Sequence, residues 1–374
     1  MGVPAATGAV PGDLRTGHHP IELSHGVRQE KPRALLLGGQ TGAGKSVMTG
    51  VLTADPHWRQ AAGFGSDTLR VHHPDYQRLL ATDADTACFY TDPDARAWVG
   101  DALDHCVDQR FSVVFDSTMS RQAAAEGFAE RFHGAGYRID AAFVAAPAAL
   151  SKLGVVARYL DSVEVSGSGR FSPNHDETYD GVLEVARWID RTAPFDTVAV
   201  YRRNGDLLYS NSVDEQGNWV NPPGLRQAIE DERNRPWSAE ESDRFLAAVK
   251  ETVAKVDSVT VDGKPMPPIW LTRVAEAADL GQKLATGPAK GELTQMVLSL
   301  RQEASRRVAA ASGIDPAAFR IADESRKTTN LKTTDPTTQT PTTDPPRQPR
   351  PERDPQQVPW LAVGRAGAGW VSRR

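Results

Sequence analysis

A doubly wound, mostly parallel α/β sheet followed by a helical extension is the fold class this sequence predicts, and three observations predict it. The stretch Gly39-Gln40-Thr41-Gly42-Ala43-Gly44-Lys45-Ser46 fits the pattern Gly-x-x-x-x-Gly-Lys-[Ser/Thr] without a mismatch. It lies between an apolar run, Arg33 to Leu37, and a stretch from Val47 to Leu52 that can continue as a helix. Downstream, strand-like and helix-like patterns alternate to about residue 225, after which amphipathic helical patterns take over. A strand, a Gly-rich loop and a helix in that order mark the P-loop NTPase type of sheet.

The loop composition has a physical reason. A polyphosphate needs several backbone N–H groups aimed inward at once, and Gly39, Gly42 and Gly44 permit the backbone angles and the close approach. Gln40, Thr41 and Ala43 complete the loop, Lys45 holds the β- and γ-phosphates, and Ser46 offers its hydroxyl to the bridging Mg²⁺. ATP and Mg²⁺ are therefore the expected cofactors.

The chain has 374 residues, 39% hydrophobic and 24% charged, a globular composition with room for two ordinary domains. No apolar run reaches membrane-spanning length and no secretory signal opens the chain, so a cytoplasmic protein without membrane partners is expected. The net charge of -5 offers no general attraction to nucleic acid. The 2 cysteines, Cys88 and Cys106, are expected as buried reduced thiols. His18-His19 reads as a polar patch, with no carboxylate or Cys cluster nearby to suggest a metal site.

Further along, Asp67 appears where a second parallel strand should end, facing the same crevice as the phosphate loop. Two readings fit it: a base for a hydroxyl about to receive the γ-phosphate, or the N-cap of a helix starting at Thr68. Thr91-Asp92-Pro93 reads as a helix start, with an apolar stripe through about residue 110. Phe111 to Phe115 then reads as a strand ending in Asp116, which can hold Mg²⁺ through water, contact the acceptor or simply cap a turn. A helix from Arg121 to His133, a strand from Tyr137 to Val144 and a helix opened by Pro147 follow, the last bearing Arg158. Ser166 to Gly169 and then Arg170 suit a lid closing on phosphates, because an Arg fork contacts two phosphate oxygens together. Asn204-Gly205 signals a hairpin between Val198–Tyr201 and Leu207–Ser210. Ser238 with Glu241 matches a capping box, and Leu293, Met296, Val297 and Leu300 mark a further helix.

Taken together these residues resemble the zeta toxin family of bacterial kinases. The matching features are Gly38 to Ser46, Asp67-Thr68-Leu69-Arg70 with His73-Pro74, Tyr90-Thr91, Asp116-Ser117-Thr118, Arg158-Tyr159 and Arg170 to Asp176, spanning about residues 31 to 200. The resemblance implies ATP-dependent phosphorylation of the 3′-hydroxyl of the sugar in UDP-N-acetylglucosamine, and a protein antitoxin as partner. Carried over, it makes Asp67 the general base and gives Arg158 and Arg170 the transferring phosphate, with Lys45 and Ser46 serving ATP and Mg²⁺. It also gives the sugar nucleotide to Asp116 and Thr118, with Arg70 and Asp101 beside them. The sequence departs from the family pattern in three places: the helical acid falls at Gly100 with Asp101 adjacent, Asp116 replaces a longer Glu, and Gly65 stands where a second Asp often precedes the base. The same fold accommodates another acceptor, such as NAD or an antibiotic hydroxyl, or a nucleotide-dependent regulatory module.

The expected organisation is a flexible N-terminal segment over 1–30, the kinase domain over 31–225, a helical extension over 226–320 and a disordered Thr/Pro-rich tail over 321–374. In that tail Trp360 and Trp370 stand out, and two readings fit them: a short docking segment, or hydrophobic residues on a loose end.

Overall fold

A computed structural model of the chain describes residues 23–83 and 86–312. The expectations for His18-His19, the N-terminal segment and the Thr/Pro-rich tail lie outside those residues.

Six strands form the main sheet in the order β2-β3-β1-β4-β5-β6. They are β1 (Arg33–Gly38), β2 (Ala62–Gly65), β3 (Val113–Asp116), β4 (Arg138–Ala145), β5 (Thr197–Arg202) and β6 (Leu207–Ser212). All neighbours are parallel except β5 and β6, an antiparallel hairpin closed over Gly205 at φ +100°. Strand β1 is central, with Leu36 opposite Phe115 of β3 on one side and Ala141 of β4 on the other. Its residues from Ala34 on are buried, as a parallel strand covered on both faces requires.

The two-residue alternation of β1 sorts its side chains into separate cores. Ala34 and Leu36 join the face formed by α4 (Ala87–Gln109), α5 (Gln122–Gly134), α7 (His175–Thr192) and α8 (Leu225–Asn234). Leu35 and Leu37 point the other way, onto Ala43, Met48 of α1 (Lys45–Leu52), and Trp58. The short helices α2 (Ser66–Arg70) and α3 (Tyr76–Thr82) complete the β2 side.

A third apolar cluster joins α6 (Ala148–Ser166) to the C-terminal helices α9 (Ala239–Ser258), α10 (Ile269–Leu284) and α11 (Gly287–Ala311). The capping box exists as expected: Ser238 Oγ accepts from Glu241 N at 3.1 Å, and Ser238 N donates to the Glu241 carboxylate at 2.8 Å. Between α9 and α10 runs a small hairpin of β7 (Thr260–Val261) and β8 (Lys264–Pro265). Helices α9 and α10 approach closely because Gly281 presents no side chain. A Cβ there would stand 2.1 Å from the Phe245 ring. Helices α7, α8 and α10 were not read from the sequence, although Val182, Val185, Ala186 and Ile189 carry the helical period in α7.

One boundary moves. Helix α4 begins at Ala87, not at Thr91, and takes Pro93 into its interior. The proline leaves the Phe89 carbonyl without its helical N–H, and Phe89 is 76% exposed, so water can serve that oxygen.

Candidate functional site

Strand β3 inserts between β2 and β1, so the chain leaving β1 crosses over it to build β2, and the segments after β1, β2 and β3 converge at one end of the sheet. The phosphate loop fills the first of these positions. Gly39, Gly42 and Gly44 have φ of 143°, 79° and 101°, angles that L side chains rarely adopt. At Gly42 a Cβ would stand 2.1 Å from the Ser151 carbonyl, so glycine also lets the loop press against α6. Gly39 N donates to Thr118 O at 3.2 Å, tying the loop to the segment after β3.

The Lys45 ammonium folds over the loop, donating to Gly39 O at 2.9 Å and to Gln40 O at 3.4 Å, and stands 3.9 Å from the Asp116 carboxylate. Ser46 is exposed beside it on the first turn of α1, in position to ligate a cation. Glycines that forbid a Cβ, a cation at the loop mouth and an open hydroxyl fit a nucleotide polyphosphate and its Mg²⁺.

Asp67 lies in the first turn of α2, whose N-cap is Gly65. The N-cap reading of Asp67 therefore fails: Gly65 N is served by the Thr68 hydroxyl at 2.9 Å. The partner of Asp67 is Arg170, with which it forms a direct ion pair. The Asp67 side chain remains 56% exposed, an open carboxylate in a densely walled cleft. The walls push its carboxyl up, but Arg170 foremost, then Arg70 and Lys45, bring it below the ordinary value. It is ionised at neutral pH. Asp116 goes the opposite way: burial raises it, and neighbouring Asp67 adds to the rise while Lys45 opposes it. Arg158, facing solvent on α6, is lowered by the crowding and then by Arg170, and it feels Asp67. Lys45, Asp67, Asp116, Arg158 and Arg170 thus share one cleft. Thr118 borders it through its carbonyl, with its hydroxyl 2.9 Å from Ser120 Oγ.

Gly65 has a local reason. A Cβ there would stand 2.6 Å from the Asp116 carbonyl, so the paired ends of β2 and β3 leave no room for a second acid before Asp67.

Three expected site residues are placed differently. Arg70 is 3% exposed and its guanidinium is committed to Cys88 O at 2.8 Å and Asp92 Oδ1 at 3.0 Å. It braces α2 against α4. Arg70→Leu should cost about 2 kcal/mol, because it removes the buried guanidinium's hydrogen bonds to Cys88 O and Asp92, while Asp92 keeps Arg96 and Cys88 O keeps the Thr91 hydroxyl. Chemical denaturation measures that loss, and an unchanged KM for the acceptor is expected with it. Asp101 sits exposed in the second half of α4, and two acids nearer the start of that helix, Asp92 and Asp94, pair with Arg70 and His73, each at 3.0 Å. Gln40 turns its side chain away from the loop interior and is fully buried.

The destination of Gln40 was not legible in the sequence. Its Oε1 accepts from Arg233 of α8 at 2.9 Å, and its Nε2 donates to Ala146 O at 2.8 Å and Ser151 Oγ at 3.2 Å. Ser151 Oγ lies 2.8 Å from His175 Nε2, and His175 Nδ1 faces Asp176 at 2.8 Å. Burial holds His175 below its ordinary value, so the neutral ring donates to Asp176 and accepts from Ser151. A second unread residue, Arg203 of the β5–β6 turn, donates to Leu150 O at 3.2 Å and Gly42 O at 3.4 Å, bracing the back of the loop. These partners lie 161 and 193 positions apart in the chain, beyond any local signal.

Comparison with known proteins places this arrangement. Residues 22–214 match the family model described as Zeta toxin. Toxin PezT of Streptococcus pneumoniae serotype 4 is 24% identical over 193 residues, which cover 50% of this chain and 76% of that protein. Toxin zeta of Streptococcus pyogenes is 23% identical over 236 residues, covering 62% of this chain and 79% of that protein. A solved structure from the PezAT chromosomal toxin-antitoxin system of Streptococcus pneumoniae superposes with a TM-score of 0.54 at 19% identity, covering 66% of this chain and 93% of that one. At that identity the likeness shows a shared fold. No helix among the described residues is long and apolar enough to cross a membrane.

Proposed function

The chain belongs to the zeta toxin family, and we propose that it is an ATP-dependent phosphotransferase acting on the 3′-hydroxyl of the sugar in UDP-N-acetylglucosamine. The observation that carries this reading is the pairing of an ionised, open carboxylate, Asp67, with Arg170 in the cleft that also holds Lys45 of the phosphate loop. A base for a hydroxyl and cations for a phosphate are what phosphoryl transfer to an alcohol requires.

In this reading the phosphate loop and Lys45 hold ATP, with Ser46 as the protein ligand of Mg²⁺. Mg²⁺, when bound, supplies charge neutralisation across the β- and γ-phosphates. Arg170 leaves Asp67 for the γ-phosphate as ATP and acceptor enter, which frees the carboxylate to act. Asp67 then takes the proton of the acceptor hydroxyl while its oxygen bonds to the γ-phosphorus. The bond from that phosphorus to the β–γ bridging oxygen breaks, and ADP departs. Arg158 and Arg170 receive the charge that gathers on the transferring group. Asp116 and Thr118 line the acceptor side. By the same reading the natural partner is a protein antitoxin, since the PezAT structure comes from a toxin-antitoxin system.

Incubation with MgATP and a panel of UDP-N-acetylglucosamine, NAD and an aminoglycoside, read by mass spectrometry, tests the proposal. One phosphoryl group gained by UDP-N-acetylglucosamine is the expected result. Transfer to another member of the panel overturns the acceptor, and ATP binding without transfer to any overturns the enzyme.

Arg170→Ala should lower kcat more than it raises the KM for ATP, and Lys at this position should rescue only part, because a point charge lacks the planar fork. The pH profile supplies a second check. Arg170 holds the Asp67 carboxyl down, so its removal raises that pKa and moves the acid limb of kcat/KM to higher pH. An acid limb unmoved in Arg170→Ala would separate Asp67 from the rate.

A further inference from the structure

The two arginines of the cleft stand on neighbouring segments, Arg158 on α6 and Arg170 on the stretch between α6 and α7. That stretch leaves α6 through Gly167 at φ +74° and passes Gly169, so its backbone supplies little stiffness of its own. The arginines also repel each other, and inside the cleft Asp67, paired with Arg170, is the charge that draws them in. Loop freedom and repulsion favour spreading of the two guanidinium groups once Arg170 leaves Asp67. A hold from outside the cleft keeps the segments together when that pair opens.

Each arginine is followed by a buried aromatic residue, Tyr159 and Phe171, both 8% exposed. Both rings pack on Trp270 of α10. Tyr159 stacks on it with centroids 4.0 Å apart and planes 10° apart, and Phe171 meets it edge-on at 5.2 Å and 87°. Arg273, one turn further along α10, lies over the Phe171 ring at 3.9 Å and over Trp270 at 4.4 Å. Gly169 seals the arrangement: a Cβ there would stand 2.6 Å from the Tyr159 carbonyl, so the segment lies directly against α6. Trp270 lies outside residues 22–214, the part matched by the family model.

We propose that Trp270, seconded by Arg273, is a positioning residue for phosphoryl transfer, fixing Arg158 and Arg170 at one distance by anchoring the aromatic residue that follows each. The C-terminal helices are then a working part of the catalytic cleft. Stacked aromatic rings suit this task because they resist sliding in a way that a flexible aliphatic contact does not. Small displacements of charge-stabilising groups are costly in rate, which makes such a brace worth keeping. This inference rests on the phosphotransferase reading, and its test is built to fail separately from it.

The full chain carrying Trp270→Leu is compared with wild type and with Trp270→Phe for kcat, for the KM of ATP, and for deuterium uptake of peptides covering 158–174. The expected result is a kcat lowered roughly tenfold or more with the KM for ATP within about threefold, together with faster uptake over 167–174. Trp270→Phe, which keeps an aromatic face, should restore most of both. A folded Trp270→Leu protein with wild-type kcat and uptake overturns the proposal, as does a loss that appears only in the KM for ATP. Should Trp270→Leu fail to fold, Arg273→Met removes the guanidinium over the two rings and is read in the same way. If wild type transfers no phosphate to any acceptor, the phosphotransferase reading falls, and uptake over 158–174 alone decides whether Trp270 holds the two segments.

Discussion

Asp67→Asn is expected to lower kcat by roughly 10² to 10⁴, the usual worth of general base catalysis. The substitution keeps the shape of the side chain and leaves the first turn of α2 intact, because that turn is capped by Gly65 and Thr68 without help from Asp67. What it removes is the ability to accept a proton, and the charge that faces Arg170. ATP affinity should change little, since the phosphates are held by the loop and Lys45. Thermal unfolding should fall only modestly: Asp67 is half exposed, and the cost lies in leaving the 17% exposed Arg170 side chain facing a neutral amide. Single-turnover transfer from labelled ATP measures the effect. A purified Asp67→Asn protein working within about threefold of wild type would move the base to Asp116, the other carboxylate of the cleft.

The parts legible in the sequence are those whose physics is local. The phosphate loop announces itself through glycines whose backbone angles no other residue adopts easily, and the structure shows those angles at Gly39, Gly42 and Gly44. The Asn204-Gly205 hairpin and the Ser238–Glu241 box lie within four residues of themselves, and both formed as read. Five of the seven charged residues expected at the cleft are brought together because each follows a strand of one sheet or sits on the α6 side of it. Legibility ended where a residue's role depends on a distant partner. Arg70 and Gln40 lie inside recognisable motifs, yet Asp92 and Arg233 draw their side chains away from the cleft. Pro93 misled for a different reason: its ring suits a first turn, and only the exposed carbonyl of Phe89 lets the helix run past it. The contact of Trp270 with Tyr159 and Phe171 joins segments about a hundred residues apart, and α10 gave no hint of its destination.

Lys45→Ala carries the other large effect, an expected fall in kcat of roughly 10³, at the upper end of what the loss of one charge-stabilising donor costs. The reasoning starts from what the ammonium does in the structure. It reaches back to Gly39 O and Gln40 O and stands 3.9 Å from Asp116, so it is the side-chain cation built into the loop itself. Without it the β- and γ-phosphates face backbone N–H groups alone, and nucleotide affinity should weaken as well as the rate. The fold should survive: Gln40 O keeps the Ala43 N–H at 3.1 Å, so the change falls on the buried Gly39 carbonyl, and the pair with Asp116 is long and partly exposed, worth about 1 kcal/mol or less. Asp116 should respond in a definite direction. Lys45 is the foremost influence holding its carboxyl down, so the substitution raises a pKa that burial has already raised. Calorimetric titration with ATP, a melting curve and a transfer assay on one preparation separate these effects. Wild-type turnover in a folded Lys45→Ala protein would remove the loop from the chemistry, and with it the reading of the cleft as a kinase site.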